Sequence, residues 1–191
     1  MSLIFLREFL RHPGQIGAIA PSSEALAREI VSGVGVETAE VVLEYGPGTG
    51  AFTGEILRNL PRGGRLIAIE QSPELAASLR GRYPQTDVHN GSVADVADVL
   101  GERGLQQADC VICGLPWAAF DAERQDRLMS AMLDVLRPGG WFTTFAYLQG
   151  LLLPAARRFR RRLGEWFAEV QTSPTVWRNL PPAFVYRCLR G

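Results

Sequence analysis

The chain has 191 residues, 20 basic and 20 acidic side chains, and three cysteines. This length predicts a single domain, residues 1–191, with a helical extension over residues 1–35, and it allows a core that needs no disulfides. The zero net charge argues against a globally basic nucleic-acid binder, and three cysteines are too few for a disulfide scaffold. No apolar run approaches the ~20 residues of a membrane span. These features predict a soluble cytoplasmic protein.

Short apolar runs alternate with amphipathic stretches, which is the pattern of a parallel α/β sheet. Residues 1–35 are predicted to form two helices joined by residues 14–21, with Ser22 or Ser23 capping the second. Strands are predicted at residues 41–45, 65–70, 86–89, 108–113 and 141–147. Helices are predicted between them, near residues 53–59, 73–82, 93–100 and 121–136, the last ending at an Arg-Pro-Gly-Gly stop signal.

The C-terminal part predicts a helix over residues 154–167 and two further strands, near residues 170–177 and 183–189. Their short connection requires antiparallel pairing, because a parallel pair needs a crossover of about a dozen residues. Five parallel strands followed by an antiparallel hairpin make a seven-stranded, doubly wound α/β sheet. This arrangement resembles that of a class I methyltransferase.

A glycine-rich loop, Glu-Tyr-Gly-Pro-Gly-Thr-Gly at residues 44–50, ends the first strand and opens a helix. Glycines let the backbone turn sharply and approach a ligand at the carboxyl edge of the sheet. Glu70, 20 residues beyond Gly50, is placed to accept hydrogen bonds from both hydroxyls of a ribose. Gly46, Gly48 and Ala51 also satisfy the relaxed dinucleotide fingerprint, so the glycines alone leave a nicotinamide enzyme open.

Three features favour S-adenosylmethionine over a dinucleotide. Glu44 lies two residues before the first glycine, where a carboxylate can hold a cationic amino-acid group but would repel a pyrophosphate. The loop has the Glu-x-Gly-x-Gly-x-Gly form of methyltransferase motif I. The chain is also too short for a dinucleotide-binding half plus a substrate domain. A purely structural glycine turn would leave Glu44 and Glu70 together unexplained.

The fourth strand ends in Gly-Leu-Pro-Trp at residues 114–117, where the central crevice of the sheet is expected. This turn resembles the Asn/Asp-Pro-Pro-aromatic loop of amino-methyltransferases, including the Asn-Leu-Pro-Tyr of the ribosomal RNA adenine dimethylases. Gly114 replaces the asparagine, so the loop offers a carbonyl and a ring but no side-chain amide. That difference weighs against an adenine acceptor.

No metal site is predicted. The spacing Cys110-x-x-Cys113 points the two thiols to opposite faces of a strand, which favours packing over a redox or metal role. His12 and His89 have no paired ligand spacing.

Further matching segments, at residues 17–23, 138–140 and 179–183, complete a resemblance to the short bacterial phospholipid N-methyltransferases. Those enzymes methylate phosphatidylethanolamine and are relatives of the ribosomal RNA adenine dimethylases. The resemblance implies S-adenosylmethionine as cofactor and S-adenosylhomocysteine (SAH) as product. The residues that it places at the cofactor are Glu44, Tyr45, Gly46, Gly48, Thr49, Gly50, Glu70, Gln71, Ser92, Val93 and Gly114.

The acceptor amine is expected in a partly apolar pocket, because desolvation lowers the pKa of an amine and frees its lone pair. We predict that Leu115, Pro116 and Trp117 line this pocket, with the Trp117 ring facing the cationic product. Tyr147, at the end of the fifth strand, is predicted to accept a hydrogen bond or relay a proton. Arg178 and Asn179 are expected to reach a phosphate or carboxylate of the acceptor.

A lipid acceptor predicts contact with a phospholipid or anionic membrane surface, and hence peripheral association with the inner face of the cell membrane. Residues 3–10 and 155–167 are both amphipathic. For residues 155–167 we predict that the apolar stripe packs on the sheet, while the arginines at 157–162 are free for lipid head groups or RNA phosphates.

Other functions remain open from the sequence. Ribosomal RNA is one alternative acceptor, although the adenine dimethylases that this chain resembles carry an additional helical domain and a strongly basic surface. A small-molecule amine or phenol is another. A degenerate fold that serves as a binding module would predict a broken cofactor loop, whereas residues 44–50 and Glu70 are intact.

Overall fold

The computed structural model describes residues 22–191, and these form one mixed sheet flanked by helices. The sheet order is β3-β2-β1-β4-β5-β7-β6, in which the first five strands are parallel and β7 runs antiparallel to both β5 and β6. The predicted seven-stranded, Rossmann-like sheet with its antiparallel hairpin is confirmed. The strands are β1 (Val41–Tyr45), β2 (Arg65–Glu70), β3 (Asp87–Asn90), β4 (Ala108–Cys113), β5 (Leu136–Tyr147), β6 (Glu169–Thr172) and β7 (Ala183–Leu189).

The second predicted N-terminal helix is present as α1, and Ser23 caps it by accepting a hydrogen bond from the Leu26 amide. The first predicted helix, with the amphipathic segment at residues 3–10, lies outside the described residues. Short 3-10 turns at Val93–Asp95, Trp117–Ala119 and Leu148–Leu152 supplement the α-helices. The α-helices of the described part are α1 (Glu24–Val31), α2 (Thr53–Asn59), α3 (Pro73–Arg82), α4 (Val96–Gly101), α5 (Ala122–Val135) and α6 (Pro154–Trp166).

Alternating strand residues build a core on each face of the sheet. On one face Leu43 and Val111 pack with apolar residues of α4, α5 and α6. On the other face Val42 and Ile112 pack with apolar residues of α1 and α2. The helix predicted over residues 154–167 therefore does pack its apolar stripe on the sheet. Cys113 and Cys110 belong to the first and second of these cores respectively, so the two thiols face opposite ways as their spacing predicts.

Two strand boundaries differ from the predicted ones by more than one residue. β5 begins at Leu136, not at residue 141, because the Pro-Gly-Gly segment forms an irregularity inside the strand: Ala108 pairs with Leu136, and Cys110 then pairs with Trp141. β6 ends at Thr172, not at residue 177, and a loop over residues 173–182 leads into β7. The Val185 amide donates to the Ser173 hydroxyl at 2.9 Å instead of to a backbone carbonyl of β6, which explains the early end of the ladder.

Two kinds of feature, a membrane-spanning helix and a metal-binding cluster, are absent from residues 22–191. No helix in this range is both long and apolar enough to cross a bilayer. No group of three or more histidine, cysteine or acidic side chains in the same range is arranged to hold a metal ion.

Candidate functional site

A cavity of about 520 Å³ lies at the carboxyl ends of the five parallel strands. The segment that follows each strand contributes to its wall, as expected for a ligand site in an open α/β sheet. The contributions are Gly46 and Gly48 after β1, Glu70 and Gln71 after β2, Gly91, Ser92 and Val93 after β3, Gly114 to Trp117 after β4, and Ala146 and Tyr147 at the end of β5.

The backbone of the glycine loop explains its composition. Gly46, Gly48 and Gly50 have φ values of 62°, 56° and 81°, a region that side chains other than hydrogen disfavour. A Cβ atom on Gly46 would lie 2.9 Å from the side chain of Leu115, and one on Gly50 would lie 2.8 Å from the ring of Tyr83. Gly46 and Gly50 are therefore packed too closely for a side chain, whereas Gly48 has open space beside it and is required only by its backbone conformation.

Glu70 holds this loop from the end of β2. Its Oε2 accepts a hydrogen bond from the Gly48 amide at 3.0 Å, and its Oε1 accepts one from the Ser72 amide at 2.9 Å. A carboxylate has about four acceptor positions, so two stay available for the hydroxyls of a ribose. Glu70 lines the cavity, which is where its predicted role requires it.

Glu44 is fully buried in β1 and has only one of its oxygens satisfied. Oε2 accepts a hydrogen bond from the Thr53 hydroxyl at 2.7 Å, while Oε1 has no partner among the described residues. Burial raises the pKa of Glu44 from 4.5 to about 8; the Thr53 hydrogen bond opposes this rise and the charge of Glu70 adds to it. Glu44 does not line the cavity, so a bound cation would experience its charge from behind the glycine loop.

These features fit S-adenosylmethionine, whose amino-acid portion carries an ammonium group. A buried carboxylate with an unsatisfied oxygen is costly by itself and is stabilised by a nearby positive charge. The glycine loop and Glu70 would hold the remainder of the molecule. Of the predicted cofactor residues, Gly46, Gly48, Glu70, Gln71, Ser92, Val93 and Gly114 line the cavity, whereas Glu44, Tyr45, Thr49 and Gly50 do not.

Gly114 is required by packing between two loops. Its amide donates a hydrogen bond to the Tyr45 carbonyl at 2.8 Å, and a Cβ atom at this position would lie 2.7 Å from the carbonyl oxygen of Gly46. An asparagine, as in the adenine dimethylases, does not fit this backbone. The close approach of the two loops thus requires the glycine, which also removes a side-chain amide from the site.

The predicted acceptor residues Leu115, Pro116, Trp117 and Tyr147 all line the cavity. The Trp117 ring, however, stacks on Phe159 of α6, with centroids 4.6 Å apart and planes at 13°. One face of the indole is therefore covered, which leaves at most the other face for a cationic product. Burial raises the pKa of Tyr147, which keeps its hydroxyl protonated.

The structure corrects the expectation for residues 178 and 179. The Asn179 side chain is buried and committed to backbone groups: Oδ1 accepts from the Ser23 amide, and Nδ2 donates to the Pro181 carbonyl. Arg178 is exposed, and neither residue lines the cavity. The cavity wall that would hold an acceptor is therefore formed without them.

Three polar residues of the acceptor side were missed in the sequence. Tyr186 of β7 lines the cavity, is 2% exposed, and its hydroxyl has no hydrogen-bond partner among the described residues. Arg124 and Arg127, on the first turns of α5, also line the cavity. Their i, i+3 spacing places the two arginines on one helix face, and such a charged face is typical of an ordinary solvated helix.

The burial of Glu44 predicts a pH-dependent stability difference. Because its pKa is raised on folding, the stability that it contributes is full below pH 4.5 and is lost as the pH rises through about 8. The Glu44→Gln side chain stays neutral at every pH. We therefore expect the Tm of this variant, relative to that of the wild type, to be at least about 2–4 °C higher at pH 9 than at pH 5. Scanning calorimetry at both pH values measures this gain. The exposed Glu37→Gln controls for the loss of one carboxylate, and an equal gap at both pH values would contradict the prediction.

The contact at Gly114 predicts a loss of cofactor affinity. In Gly114→Ala the new methyl group displaces the Gly46 carbonyl and with it the glycine loop, so we expect S-adenosylmethionine to bind about tenfold more weakly. Titration calorimetry measures the affinity. Gly164→Ala in α6 is the matched control, because a Cβ there meets no atom within 4 Å. Unchanged affinity in Gly114→Ala would show that the loop does not depend on this contact.

Comparison with known proteins agrees with this geometry. A methyltransferase domain model matches residues 42–140, about half of the chain, which span the glycine loop, Glu70 and Gly114. An ornithine lipid N-methyltransferase from Singulisphaera acidiphila is 38% identical over 188 residues, which cover 97% of this chain and 94% of that protein. Ribosomal RNA small subunit methyltransferase A from Chlorobium limicola is 35% identical over 94 residues, or 48% of this chain and 35% of that protein.

Solved structures show the same fold at low sequence identity. An O-methyltransferase from Bacillus cereus in complex with SAH superposes with a TM-score of 0.69 at 15% identity, covering 98% of this chain and 88% of that one. The O-methyltransferase TomG from Streptomyces achromogenes, in complex with SAM, gives 0.67 at 20% identity and covers 98% and 89%. Sheet order, glycine loop, buried Glu44 and family match together lead to one conclusion: the chain belongs to the class I methyltransferases, enzymes that use S-adenosylmethionine as the methyl donor.

Proposed function

We propose that this enzyme methylates the amine of a lipid head group. The observation that carries the proposal is the similarity to an ornithine lipid N-methyltransferase over 97% of the chain, which includes the acceptor side of the cavity as well as the cofactor loop. Similarity to the ribosomal RNA methyltransferase covers 48% of the chain. An amine on an amphiphilic molecule also fits the mixture of aromatic and basic side chains around the cavity.

The reaction requires a neutral amine held in line with the donor. S-adenosylmethionine supplies a methyl group that is already electrophilic, because it is bound to a sulfonium sulfur. Leu115, Pro116, Trp117 and Phe159 make the acceptor side largely apolar, which disfavours an ammonium ion and favours the free amine. The task of the protein is then mainly orientation.

Two tyrosines are suited to orient the acceptor. Tyr147 and Tyr186 both line the cavity, and burial raises the pKa of each, so both hydroxyls stay protonated and neutral. The buried Tyr186 hydroxyl has no hydrogen-bond partner among the residues described, so an acceptor N–H or oxygen would satisfy it. A neutral hydroxyl can accept a hydrogen bond from the amine without competing for the methyl group.

The arginines on α5 suit the anionic part of such a head group. The Arg124 guanidinium lies 4.2 Å from the centre of the Phe120 ring, which holds it beside the cavity. Among the described residues neither Arg124 nor Arg127 forms an ion pair. Ornithine carries a carboxylate and phosphatidylethanolamine a phosphate at a few bonds from the amine, so both candidate head groups offer an anion to these side chains.

Methyl transfer in mixed micelles tests the proposal directly. We expect label from S-adenosylmethionine to enter the lipid extract with ornithine lipid, phosphatidylethanolamine or both, and mass spectrometry of the product identifies which. Small-subunit ribosomal RNA and a panel of small amines and phenols are assayed in parallel. Glu70→Ala, which lacks the carboxylate that holds the loop, controls for background. Label confined to RNA or to small molecules would refute the lipid proposal.

Removing the two arginines should weaken acceptor binding selectively. For Arg124→Ala/Arg127→Ala we expect the KM for the lipid to rise about tenfold, the loss expected for a charge-assisted contact, with unchanged affinity for S-adenosylmethionine. Arg62→Ala is the matched control, because this exposed arginine precedes β2 at the opposite edge of the sheet. Equal losses in lipid KM and cofactor affinity would place the arginines at the cofactor and contradict the assignment.

A further inference from the structure

The exposed large hydrophobic side chains in residues 22–191 are Leu152, Trp177 and Leu180, with 64%, 72% and 77% of their surface accessible. They come from two separate segments, the 3-10 turn after β5 and the loop before β7. Scattered single hydrophobic residues on a surface are ordinary, but a group gathered at one place indicates an interaction surface.

The sheet brings these two segments together. At the end of β5, Tyr147 pairs with Ala183, and Ala183 also forms a bridge with Val176. The Leu148 amide donates a hydrogen bond to the Pro182 carbonyl at 3.0 Å. Leu152 and the Trp177–Leu180 turn therefore belong to segments that start from neighbouring residues at the same edge of the sheet.

This edge is also the acceptor side of the cavity. Tyr147, Gly150 and Leu151 line the cavity, and the next residue along the chain is the exposed Leu152. An apolar surface at this edge would contact the molecule or membrane that delivers the acceptor.

The loop that presents Trp177 and Leu180 is held by specific hydrogen bonds. The buried Asn179 side chain binds the Ser23 amide and the Pro181 carbonyl, and the Ser173 hydroxyl accepts from the Val185 amide at 2.9 Å. The two apolar side chains thus project from an ordered loop.

The charge of the two segments has one sign. Residues 148–162 and 173–182 contain six arginines and no acidic residue. Arg157 and Arg178 are exposed next to the apolar side chains, at the start of α6 and within the loop respectively. Arginines near an anionic bilayer are attracted to it, and tryptophan is favoured at the depth of lipid head groups.

We propose that Leu152, Trp177 and Leu180, with Arg157 and Arg178, form a docking rim that binds the surface of an anionic phospholipid bilayer. The apolar side chains enter the head-group region and the arginines meet lipid phosphates, so that the acceptor side of the cavity faces the membrane. The docking rim rests on the proposed lipid acceptor, and it adds the surface and the orientation by which the enzyme reaches it.

Vesicle binding of the full chain tests the docking rim. We expect the wild type to sediment with vesicles that contain phosphatidylglycerol and much less with pure phosphatidylcholine. Leu152→Ser/Trp177→Ala/Leu180→Ser and, separately, Arg157→Ala/Arg178→Ala should each raise the apparent Kd at least about tenfold. Arg28→Ala/Arg62→Ala, an equally large loss of exposed charge on α1 and before β2, should bind like the wild type.

Fluorescence locates the contact independently of sedimentation. The emission that Trp177 contributes, obtained as the difference between the wild type and Trp177→Phe, should shift to shorter wavelength on anionic vesicles. Absence of wild-type binding, an unshifted Trp177 signal, or wild-type affinity in both rim variants would each overturn the proposal. A rim variant that binds vesicles normally but changes from dimer to monomer would show that a second copy of the chain occupies this surface.

A transfer assay without a bilayer separates this inference from the proposed function. The rim variants should keep wild-type transfer to a short-chain lipid that is soluble without a bilayer, because the rim residues do not line the cavity. Vesicle binding that depends on the rim without any labelled lipid would sustain the docking rim and refute the lipid acceptor. Labelled lipid without rim-dependent binding would sustain the lipid acceptor and refute the docking rim.

Discussion

The buried Glu44 carboxylate is the constraint around which this end of the sheet is arranged. Its removal from water is compensated on one oxygen by Thr53, and the other oxygen is left without a partner among the described residues. Near neutral pH burial therefore favours the protonated form of Glu44, since it raises the pKa of this carboxyl to about 8. A cation bound beyond the loop favours the ionised form, so a cationic ligand offsets the energetic cost of burying this carboxylate.

The two halves of the cavity are made by different means. The cofactor half relies on backbone groups and on glycine conformations in segments that directly follow β1, β2 and β3. The acceptor half relies on side chains from β5, β7, α5 and α6, joined by the stack of Trp117 on Phe159. This division explains how one fold can retain its methyl donor while its acceptor varies between relatives: replacing side chains changes the second half without disturbing the loop that forms the first.

The antiparallel end of the sheet connects the chemistry to its surroundings. Because β7 inserts between β5 and β6, the loop before β7 is brought back to the end of β5, where Ala183 meets Tyr147. The same pairing places Tyr186 in the cavity wall and brings the loop that carries Trp177 and Leu180 to the end of β5. A polar pocket residue and an apolar outer surface are thus consequences of one strand position.

The sequence by itself determined the parallel strands, the hairpin, the glycine loop and the paired carboxylates Glu44 and Glu70. These features follow from contiguous strand-loop-helix units whose residue patterns are local, and glycine conformations and cap residues can be recognised without knowledge of distant contacts. Only the tertiary structure decided the acceptor side. Tyr186 resembles any apolar strand residue, and Gly114 resembles a lost asparagine, until the register of β7 and the approach of Gly46 are known. Those positions depend on packing between elements far apart in the chain, and local pattern carries no information about such contacts.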